Sequence, residues 1–227
     1  MEKIIRDELE KNRNMELLDT ETFYFRCTCC GACCREREDI VLNGYDVMRI
    51  QKYLGIDFMR LLNDYCELYV GRPSGIPLLR IKPKGAKKIC PFLFRSKCRI
   101  HEVKPTVCAL FPVGRATAFD RESGKPEVMY FVQQTNCGAK DVSNNLQEWI
   151  RGCISEYDEK CGMLWNQMLR AVLAFISGIK GEISGDTYSC LVQIMYCGYE
   201  NAEDFAEEIT SRIDQIKELE KKMNGEH

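Results

Sequence analysis

The sequence predicts an α+β fold, mainly helical, in which a small cysteine-rich metal-binding core with short strands packs with a C-terminal helical region. Cysteines concentrate in the first two thirds of the chain, short apolar runs lie between them, and apolar stripes at helical spacing fill the last third. We divide the 227 residues into an N-terminal helical arm (1–20), a cysteine-cluster domain (21–140) and a C-terminal helical region (141–227). A chain of this length can bury a substantial core.

Helices are predicted where apolar residues recur every three or four positions: residues 1–18, 45–54, 58–69, 146–151 and 157–176. Strands are predicted over residues 40–42, 78–81 and 129–133. Asn43-Gly44 is typical of a turn, and Gly55 of a helix end. The segment Thr187–Tyr199 fits a helix or a strand.

A last helix is predicted after Asn201, which can cap it, with Asp204 in its first turn. Its apolar stripe consists of Phe205, Ile209, Ile213, Ile216, Leu219 and Met223. Such a stripe favours packing back on its own domain, and a homodimer through this helix is the alternative.

Residues 27–34 hold five of the 14 cysteines. Cys27, Cys30 and Cys33 are spaced C-x2-C-x2-C, which lets a short loop direct three thiolates at one metal ion or one iron-sulfur cluster. Gly31 allows the positive φ that such a loop needs. The pattern predicts half of a metal site.

The second half is predicted from three cysteines within 19 residues, Cys90, Cys98 and Cys108, and from Cys137 at a turn. The Cys90-Pro91 step is similar to the end of bacterial ferredoxin runs. Adjacent Cys33 and Cys34 point in different directions, so they serve separate centres or one stays outside the ligand set. The predicted metal ligands are Cys27, Cys30, Cys33, Cys34, Cys90, Cys98, Cys108 and Cys137.

Four other cysteines fit buried structural thiols instead, namely Cys66, Cys153, Cys190 and Cys197. Trp149 and Trp165 are expected to anchor cores. The N-terminus lacks the apolar run of a signal peptide, and no segment approaches the length of a membrane span, so we expect a cytoplasmic protein without a membrane partner. In that reducing compartment clustered cysteines indicate metal or redox chemistry more than disulfides.

A basic stretch offers a nucleic-acid alternative, with Phe92 and Phe94 as stacking groups. Its bases are Arg80, Lys82, Lys84, Lys87, Lys88, Arg95, Lys97 and Arg99. The whole chain is weakly acidic, with a pI near 5.9, and cations beside thiolates also offset the negative charge of a metal site. The charge pattern therefore favours a metal site over nucleic acid.

The cysteine motifs resemble the YkgJ-type cysteine-cluster family, a CxxCxxCC zinc- or iron-chelating domain that also occurs in flagellin lysine N-methylases. The first matching block is Phe25 with Cys27, Cys30, Gly31, Cys33, Cys34 and Arg35, followed by Asp46, Ile50, Leu54, Gly55 and Phe58. The second is Cys90, Phe92, Leu93, Cys98, Ile100, Glu102, Pro105, Cys108, Phe111 and Pro112. His101, Lys104, Ala109 and Cys29 depart from the family pattern, and no cysteine ligand is missing.

The resemblance implies a chelating domain for zinc or iron, with an iron-sulfur cluster as one form. It also carries an enzymatic alternative, an S-adenosylmethionine-dependent protein lysine N-methylase acting on a protein substrate. His101 and Glu102 are the candidate acid/base or outer-shell groups for that reaction. The sequence has no GxGxxG after a strand, no P-loop and no HExxH.

Overall fold

The computed structural model describes residues 15–17, 22–119, 126–133 and 135–224, and its fold is α+β and mainly helical, as predicted. Its helices are α1 (Gly44–Leu54), α2 (Phe58–Tyr65), α3 (Thr106–Leu110), α4 (Leu146–Cys153), α5 (Glu156–Gly178), α6 (Gly185–Tyr196) and α7 (Phe205–Asn224). Among the described residues, no helix is long and apolar enough to cross a membrane.

In the part of the chain that the structure describes, ten short strands form four small antiparallel sheets. They are β1 (Met15–Leu17), β2 (Thr22–Arg26), β3 (Val41–Leu42), β4 (Cys66–Val70), β5 (Pro77–Ile81), β6 (Leu93–Phe94), β7 (Lys97–Cys98), β8 (Val113–Phe119), β9 (Pro126–Gln133) and β10 (Ala139–Asn145). The sheet orders are β1-β9-β8, β10-β2, β3-β5-β4 and the hairpin β6-β7. Small sheets of this kind leave most of the apolar burial to the helices.

The main hydrophobic core is built around α1, α5, α6 and α7. Phe205, Ile209, Ile213 and Ile216 of α7 are at most 4% exposed, so the apolar stripe packs on its own chain as predicted. Trp165 is also buried and lies 5.2 Å from the ring of Tyr196. The core includes residues from both sides of the predicted boundary at residue 140, and Cys90, Cys98 and Cys108 pack against it.

A second, smaller core lies beside β2 and α4. Its buried residues are Phe23, Phe25, Leu110, Val113, Leu146, Ile150 and Ile154. The ring of Trp149 packs edge-on against Phe23 and Phe25, and its indole N–H donates to the Leu110 carbonyl at 2.9 Å. Trp149 is therefore an anchor, as predicted.

The start of α1 shows a local signal that the sequence analysis assigned to a turn. Asn43 accepts a hydrogen bond from the Asp46 N–H at 2.7 Å, and the Asp46 carboxylate accepts from the Asn43 N–H. This reciprocal capping box starts the helix at Gly44. Gly55 ends it in the left-handed conformation, as predicted.

Several predicted elements are wrong at their ends. Met15–Leu17 pair with β9 as a strand, and the rest of the predicted N-terminal helix lies outside the described residues. The helix predicted to Tyr69 ends at Tyr65, because Cys66–Val70 pair with all of β5 and sheet hydrogen bonding overrides the helical pattern.

The C-terminal region settles two further expectations. Residues 185–196 form a helix, which decides the open choice for Thr187–Tyr199. Asp204, not Asn201, caps α7, because its carboxylate accepts the Glu207 N–H at 2.9 Å, whereas Asn201 closes a 3-10 turn. Cys190 is exposed on α6, so its prediction as a buried thiol is wrong, whereas Cys66 is buried at 2% exposure.

Candidate metal centre

Strand β2 delivers the chain to the first cysteines. Phe23 and Phe25 point into the second core and Tyr24 and Arg26 point outward, as the two-residue period of a strand requires. The Phe25 ring packs edge-on against Phe111 and Trp149 at 6.0 and 5.8 Å. The point where the loop begins is therefore fixed by packing.

The loop that follows folds back through two left-handed residues, Cys29 with φ 54° and Gly31 with φ 70°. Gly31 precedes a 3-10 turn at Ala32–Cys34, which confirms the predicted need for positive φ there. A Cβ at Gly31 would stand 3.3 Å from a Leu93 methyl and 3.4 Å from the Ser96 carbonyl oxygen. The loop thus lies directly against the β6-β7 hairpin.

The hairpin brings two more thiols to the loop. The Cys90 N–H donates to the Cys34 carbonyl at 2.9 Å, and Leu93 in β6 pairs with Cys98 in β7. Cys90 and Cys98 therefore stand at the base of one short hairpin. Cys108 arrives separately, on the five-residue helix α3.

Cys137 reaches the loop from the other side. Ala139 in β10 pairs with Arg26 in β2, so Cys137 lies just beyond the end of the strand from which the loop departs. The Sγ atoms of Cys30 and Cys137 are 3.4 Å apart. That separation is close to the roughly 3.8 Å between two sulfurs of a tetrahedral zinc-thiolate centre.

Gly138 makes the Cys137 turn possible. Its φ is 74°, and a Cβ there would lie 2.5 Å from Cε2 of Phe25 and 2.7 Å from the Arg26 carbonyl oxygen. Only glycine permits both the conformation and the close approach. A turn at Cys137 was predicted, but its contact with Phe25 could not be read from the sequence.

The thiols are crowded enough to oppose one another's ionisation. Interaction with Cys34 and burial raise the pKa of Cys33. Burial and the neighbouring Cys30 thiol raise the pKa of Cys137 to about 12. Burial likewise raises the pKa of Cys108, with further contributions from Cys34 and Asp46.

Cys34 and Cys90 form a second interacting pair. Interaction with Cys33 lowers the pKa of Cys34, but interaction with Cys90 and burial outweigh it and raise that pKa to about 12. The same pair interaction lowers the pKa of Cys90. A bound cation relieves this kind of repulsion between thiolates.

Backbone N–H groups are directed at the sulfurs of several of these cysteines. The Cys29 N–H donates to the Cys27 Sγ, with 3.5 Å between nitrogen and sulfur. Two residues after each cysteine, the N–H groups of Ala32, Phe92 and Ile100 act to lower the pKa values of Cys30, Cys90 and Cys98. The net pKa falls to about 7 at Cys30 and is lowered at Cys90, whereas burial keeps that of Cys98 raised. Donors aimed at sulfur are a recurrent feature of metal-thiolate and iron-sulfur sites.

One arginine faces the thiols. Burial acts to lower the pKa of Arg37, but Asp39 and the thiols of Cys108 and Cys33 outweigh it and raise that pKa. The guanidinium is held by Asp39 at 2.6 Å and by the side-chain carbonyl of Gln133 at 3.4 Å. The sequence analysis missed Arg37, which no spacing rule connects with the distant Cys108.

A buried carboxylate fixes the helix that carries Cys108. Asp46 is 2% exposed and accepts hydrogen bonds from the Thr106 N–H at 3.0 Å, the Thr106 hydroxyl at 3.1 Å and Arg49 at 2.9 Å. The same side chain belongs to the capping box of α1. Asp46 therefore joins α1 to the start of α3. Its role in the capping box could have been found in the sequence from the Asn43-x-x-Asp46 spacing.

The structure thus brings seven of the eight predicted ligands into one interacting group: Cys30, Cys33, Cys34, Cys90, Cys98, Cys108 and Cys137. Cys27 is exposed at the rim, linked to the loop through Cys29. Within the described ranges, no group of three or more histidine, cysteine, aspartate or glutamate side chains is placed to hold a metal ion. An all-sulfur donor set fits zinc or iron-sulfur chemistry.

The candidate acid/base residues and the residues of the nucleic-acid alternative do not take part in the contacts among the thiols. His101 and Glu102 are exposed on a 3-10 turn, and no hydrogen bond or ion pair of theirs appears in the described structure. Phe92 is buried and stacks on Tyr65 at 4.6 Å, so it is not a surface stacking group, whereas Phe94 is 58% exposed. The basic residues Arg80 and Lys88 pair with Glu67 and Glu38.

One relative aligns with about half of this chain. An uncharacterized protein of Methanocaldococcus jannaschii, MJ0661, is 30% identical over 115 residues, which cover 49% of this chain and 58% of that relative. The chain therefore aligns with little more than half of the relative's length. No solved structure matches the chain.

A family match covers the whole candidate site. Residues 26–137 match the CxxCxxCC family, described as "Putative zinc- or iron-chelating domain", and this range contains all eight predicted ligands from Cys27 to Cys137. The resemblance drawn from the motifs is confirmed. The match to the CxxCxxCC family is to residues 26–137, just under half of the chain.

Proposed function

We propose that the protein binds zinc or iron through Cys27, Cys30, Cys33, Cys34, Cys90, Cys98, Cys108 and Cys137. The observation that carries the proposal is the 3.4 Å contact between the sulfurs of Cys30 and Cys137, which are 107 residues apart in the sequence. Two thiols brought together from such a distance, beside five more, form a donor set that favours soft or borderline metals.

The metal is held as a resident centre, either zinc or an iron-sulfur cluster. A ligand set made only of cysteine thiolates is compatible with zinc and with an iron-sulfur cluster, since structural zinc sites and the common clusters each take four cysteines. Amides directed at Cys30, Cys90 and Cys98 act to lower the pKa values of these thiols in either case. Arg37 adds a positive charge that partly offsets the anionic centre.

We place the protein in the cytoplasm. All 14 cysteines lie within the described residues and all are free thiols. A chain with so many free thiols suits a compartment that keeps cysteine reduced, where metal binding is the common use of clustered cysteines.

No reaction is part of the proposal. Neither the family description nor the uncharacterized relative carries an activity, and His101 and Glu102 stand in solvent. The roles predicted for these two residues, and S-adenosylmethionine as a cofactor, stay predictions.

Elemental analysis of protein purified without oxygen tests the proposal. We expect zinc or iron to remain after dialysis, together with a visible charge-transfer spectrum if the metal is iron. Cys98→Ser should lower the metal content, whereas Cys190→Ser, at an exposed cysteine on α6, should leave it unchanged. Protein that retains its fold and carries neither metal would refute the proposed function.

A further inference from the structure

The eight thiols fall into two groups on opposite sides of the Cys33-Cys34 peptide. Cys30 contacts Cys137 directly, and amides cross between their segments: the Cys33 N–H acts on the Cys137 thiol, and the Gly138 N–H acts on the Cys30 thiol. Cys27 begins the same loop, at the end of β2. Cys27, Cys30, Cys33 and Cys137 are called the outer set below.

The remaining four thiols surround the hairpin and α3. Cys34 is tied to Cys90 by the 2.9 Å backbone hydrogen bond, and Cys90 and Cys98 share the β6-β7 hairpin. The Cys108 thiol interacts with those of Cys34 and Cys98. Cys34, Cys90, Cys98 and Cys108 are called the inner set below.

The two sets differ in their surroundings. Every inner thiol is half-buried, and Cys90, Cys98 and Cys108 pack against the main core. The outer set includes the exposed Cys27 and Cys30, and it is anchored through Phe25 to the smaller core. Because α3 is tied to α1 through Asp46, the inner set is also braced by a buried carboxylate that the outer set does not contact.

Four is the number of thiolates that structural zinc and the common iron-sulfur clusters require. One centre needs no more than four protein sulfurs, so eight thiols exceed the needs of a single centre. The Cys33 and Cys34 thiols interact with each other, so the two sets meet at the Cys33-Cys34 peptide.

We propose that the outer and inner sets are two separate metal centres, and that the outer centre gives up its metal to solvent chelators first. This inference rests on the proposed metal function. Release at the outer centre is a ligand exchange without redox change: each departing thiolate takes a proton from water as the chelator takes the metal ion. The exposed Cys27 and Cys30 give the chelator access that no inner thiol offers.

Chelator release followed by thiol labelling tests the proposal on the unmodified, metal-loaded protein. A coloured zinc chelator, 4-(2-pyridylazo)resorcinol, is added to zinc-loaded protein, samples are alkylated with iodoacetamide at intervals, and the labelled cysteines are identified by mass spectrometry. We expect two equivalents of zinc, one released at least tenfold faster than the other. Cys27, Cys30, Cys33 and Cys137 should become labelled in the fast phase, and the inner four in the slow phase.

Variants give an independent readout. Cys137→Ser should remove the fast equivalent and keep the slow one, and Cys98→Ser should do the reverse. Cys30→Ser repeats the outer test if Cys137→Ser fails to fold, as judged by circular dichroism. Simultaneous labelling of all eight thiols, or a single equivalent lost in both variants, would overturn the division into two centres while leaving metal binding intact. Absence of any bound metal would instead refute the proposed function itself.

Discussion

The helical core and the cysteine loop of this protein are held by different forces. In α7, Phe205, Ile209 and Ile216 have no exposed surface, and each buries an amount of apolar area that stabilises folding by about 1.5–3 kcal/mol. From Arg26 to Asp39, by contrast, the single buried residue is Gly31, which has no side chain to bury. The core is stable through packing, whereas the loop depends on backbone hydrogen bonds and on what its thiols bind.

The difference explains why dense cysteine occurs in a chain that already has a large core. Hydrophobic burial fixes the helices but does not reach residues 27–34, whose conformation includes a strained Cys29 at φ 54°. Metal ions that join the loop to the Cys137 turn and to the β6-β7 hairpin would supply the missing restraint. Removing metal and removing core contacts should therefore damage different parts of the molecule.

Metal removal should have the largest effect. Structural zinc contributes on the order of 10 kcal/mol or more of binding free energy, comparable with the stability of a whole domain. A strong chelator should therefore unfold the cysteine loop and the β6-β7 hairpin most of all, while α1, α5 and α7 of the main core stay protected. Hydrogen exchange measured by mass spectrometry on each segment distinguishes the two regions.

The control for that experiment is the same chelator presaturated with zinc, which should leave exchange unchanged. Equal loss of protection in α7 and in the cysteine loop would show that the two regions unfold as one. If verified metal loss changed nothing, the metal would be peripheral to the fold.

A core truncation should do the opposite. Phe205→Ala leaves a cavity among Tyr45, Tyr199 and α5 and should cost about 3–5 kcal/mol in the free energy of unfolding. Phe94→Ala, at a ring that is 58% exposed, is the matched control and should cost less than about 0.5 kcal/mol. Urea denaturation of the metal-loaded proteins gives both values, and metal content should be unchanged in each. Similar losses for the two variants would contradict the packing assigned to α7.

These two regions also differ in how far their sequence predicts them. The stripe of α7 and the helix over residues 157–176 repeat every three or four residues, so local pattern alone located them. The positive φ of Gly31 and the strand at residues 78–81 were also predicted from local sequence, the first from the residue type and the second from a short apolar run. These elements are determined by residues that are close together in the sequence, so a local sequence pattern can predict them.

The parts that the sequence did not predict depend on distant partners. Residues 66–70 carry a helical pattern but pair with β5, and β10 pairs with β2 across more than 100 residues. The contact of Cys30 with Cys137 follows from the pairing of β10 with β2, and Arg37 interacts with Cys108 from a distant part of the sequence. Cysteine spacing identified which residues are candidate ligands, but only the fold shows which of them meet.

Asp46 connects the two regions, so its loss should affect both. Asp46→Asn removes the charge that pairs with Arg49 and places an amide donor among N–H groups that need an acceptor. Breaking a buried pair in this way should cost about 3 kcal/mol. Asp57→Asn is the control, because that exposed residue caps α2 and asparagine caps as well as aspartate.

Thermal unfolding and alkylation of Cys108 in the metal-free proteins measure the two effects. Asp46→Asn should lower the melting temperature and speed the labelling of Cys108, since α3 loses its tie to α1. If Cys108 reacts at the same rate in both variants, Asp46 supports the core without positioning the thiol.

The turn that carries Cys137 offers a smaller, sharper comparison. Gly138→Ala must both adopt φ 74° and displace the Phe25 ring or the Arg26 carbonyl, whereas Gly85→Ala adopts φ 69° with nothing within 4 Å. The left-handed conformation should lower the free energy of unfolding of both variants by roughly 1–2 kcal/mol. The clash should lower that of Gly138→Ala by about 1–3 kcal/mol more. Denaturation midpoints give the difference, and metal content should fall only for Gly138→Ala. Equal midpoints would mean that β2 and the turn separate without cost.

The smallest expected effects come from two helix caps. Asn145 accepts the N–H groups of Gln147 and Glu148 at 2.9 and 3.1 Å at the start of α4, and Ser184 accepts the Thr187 N–H at 3.1 Å at the start of α6. Alanine at either cap should cost about 1 kcal/mol, because a helix N–H loses its acceptor. α4 packs in the small core that anchors Phe25 and the cysteine loop, whereas α6 packs in the main core. Asn145→Ala should therefore speed zinc release to a chelator, and Ser184→Ala should not, although the two lose the same stability in urea. Equal release rates would show that the small core does not restrain the loop.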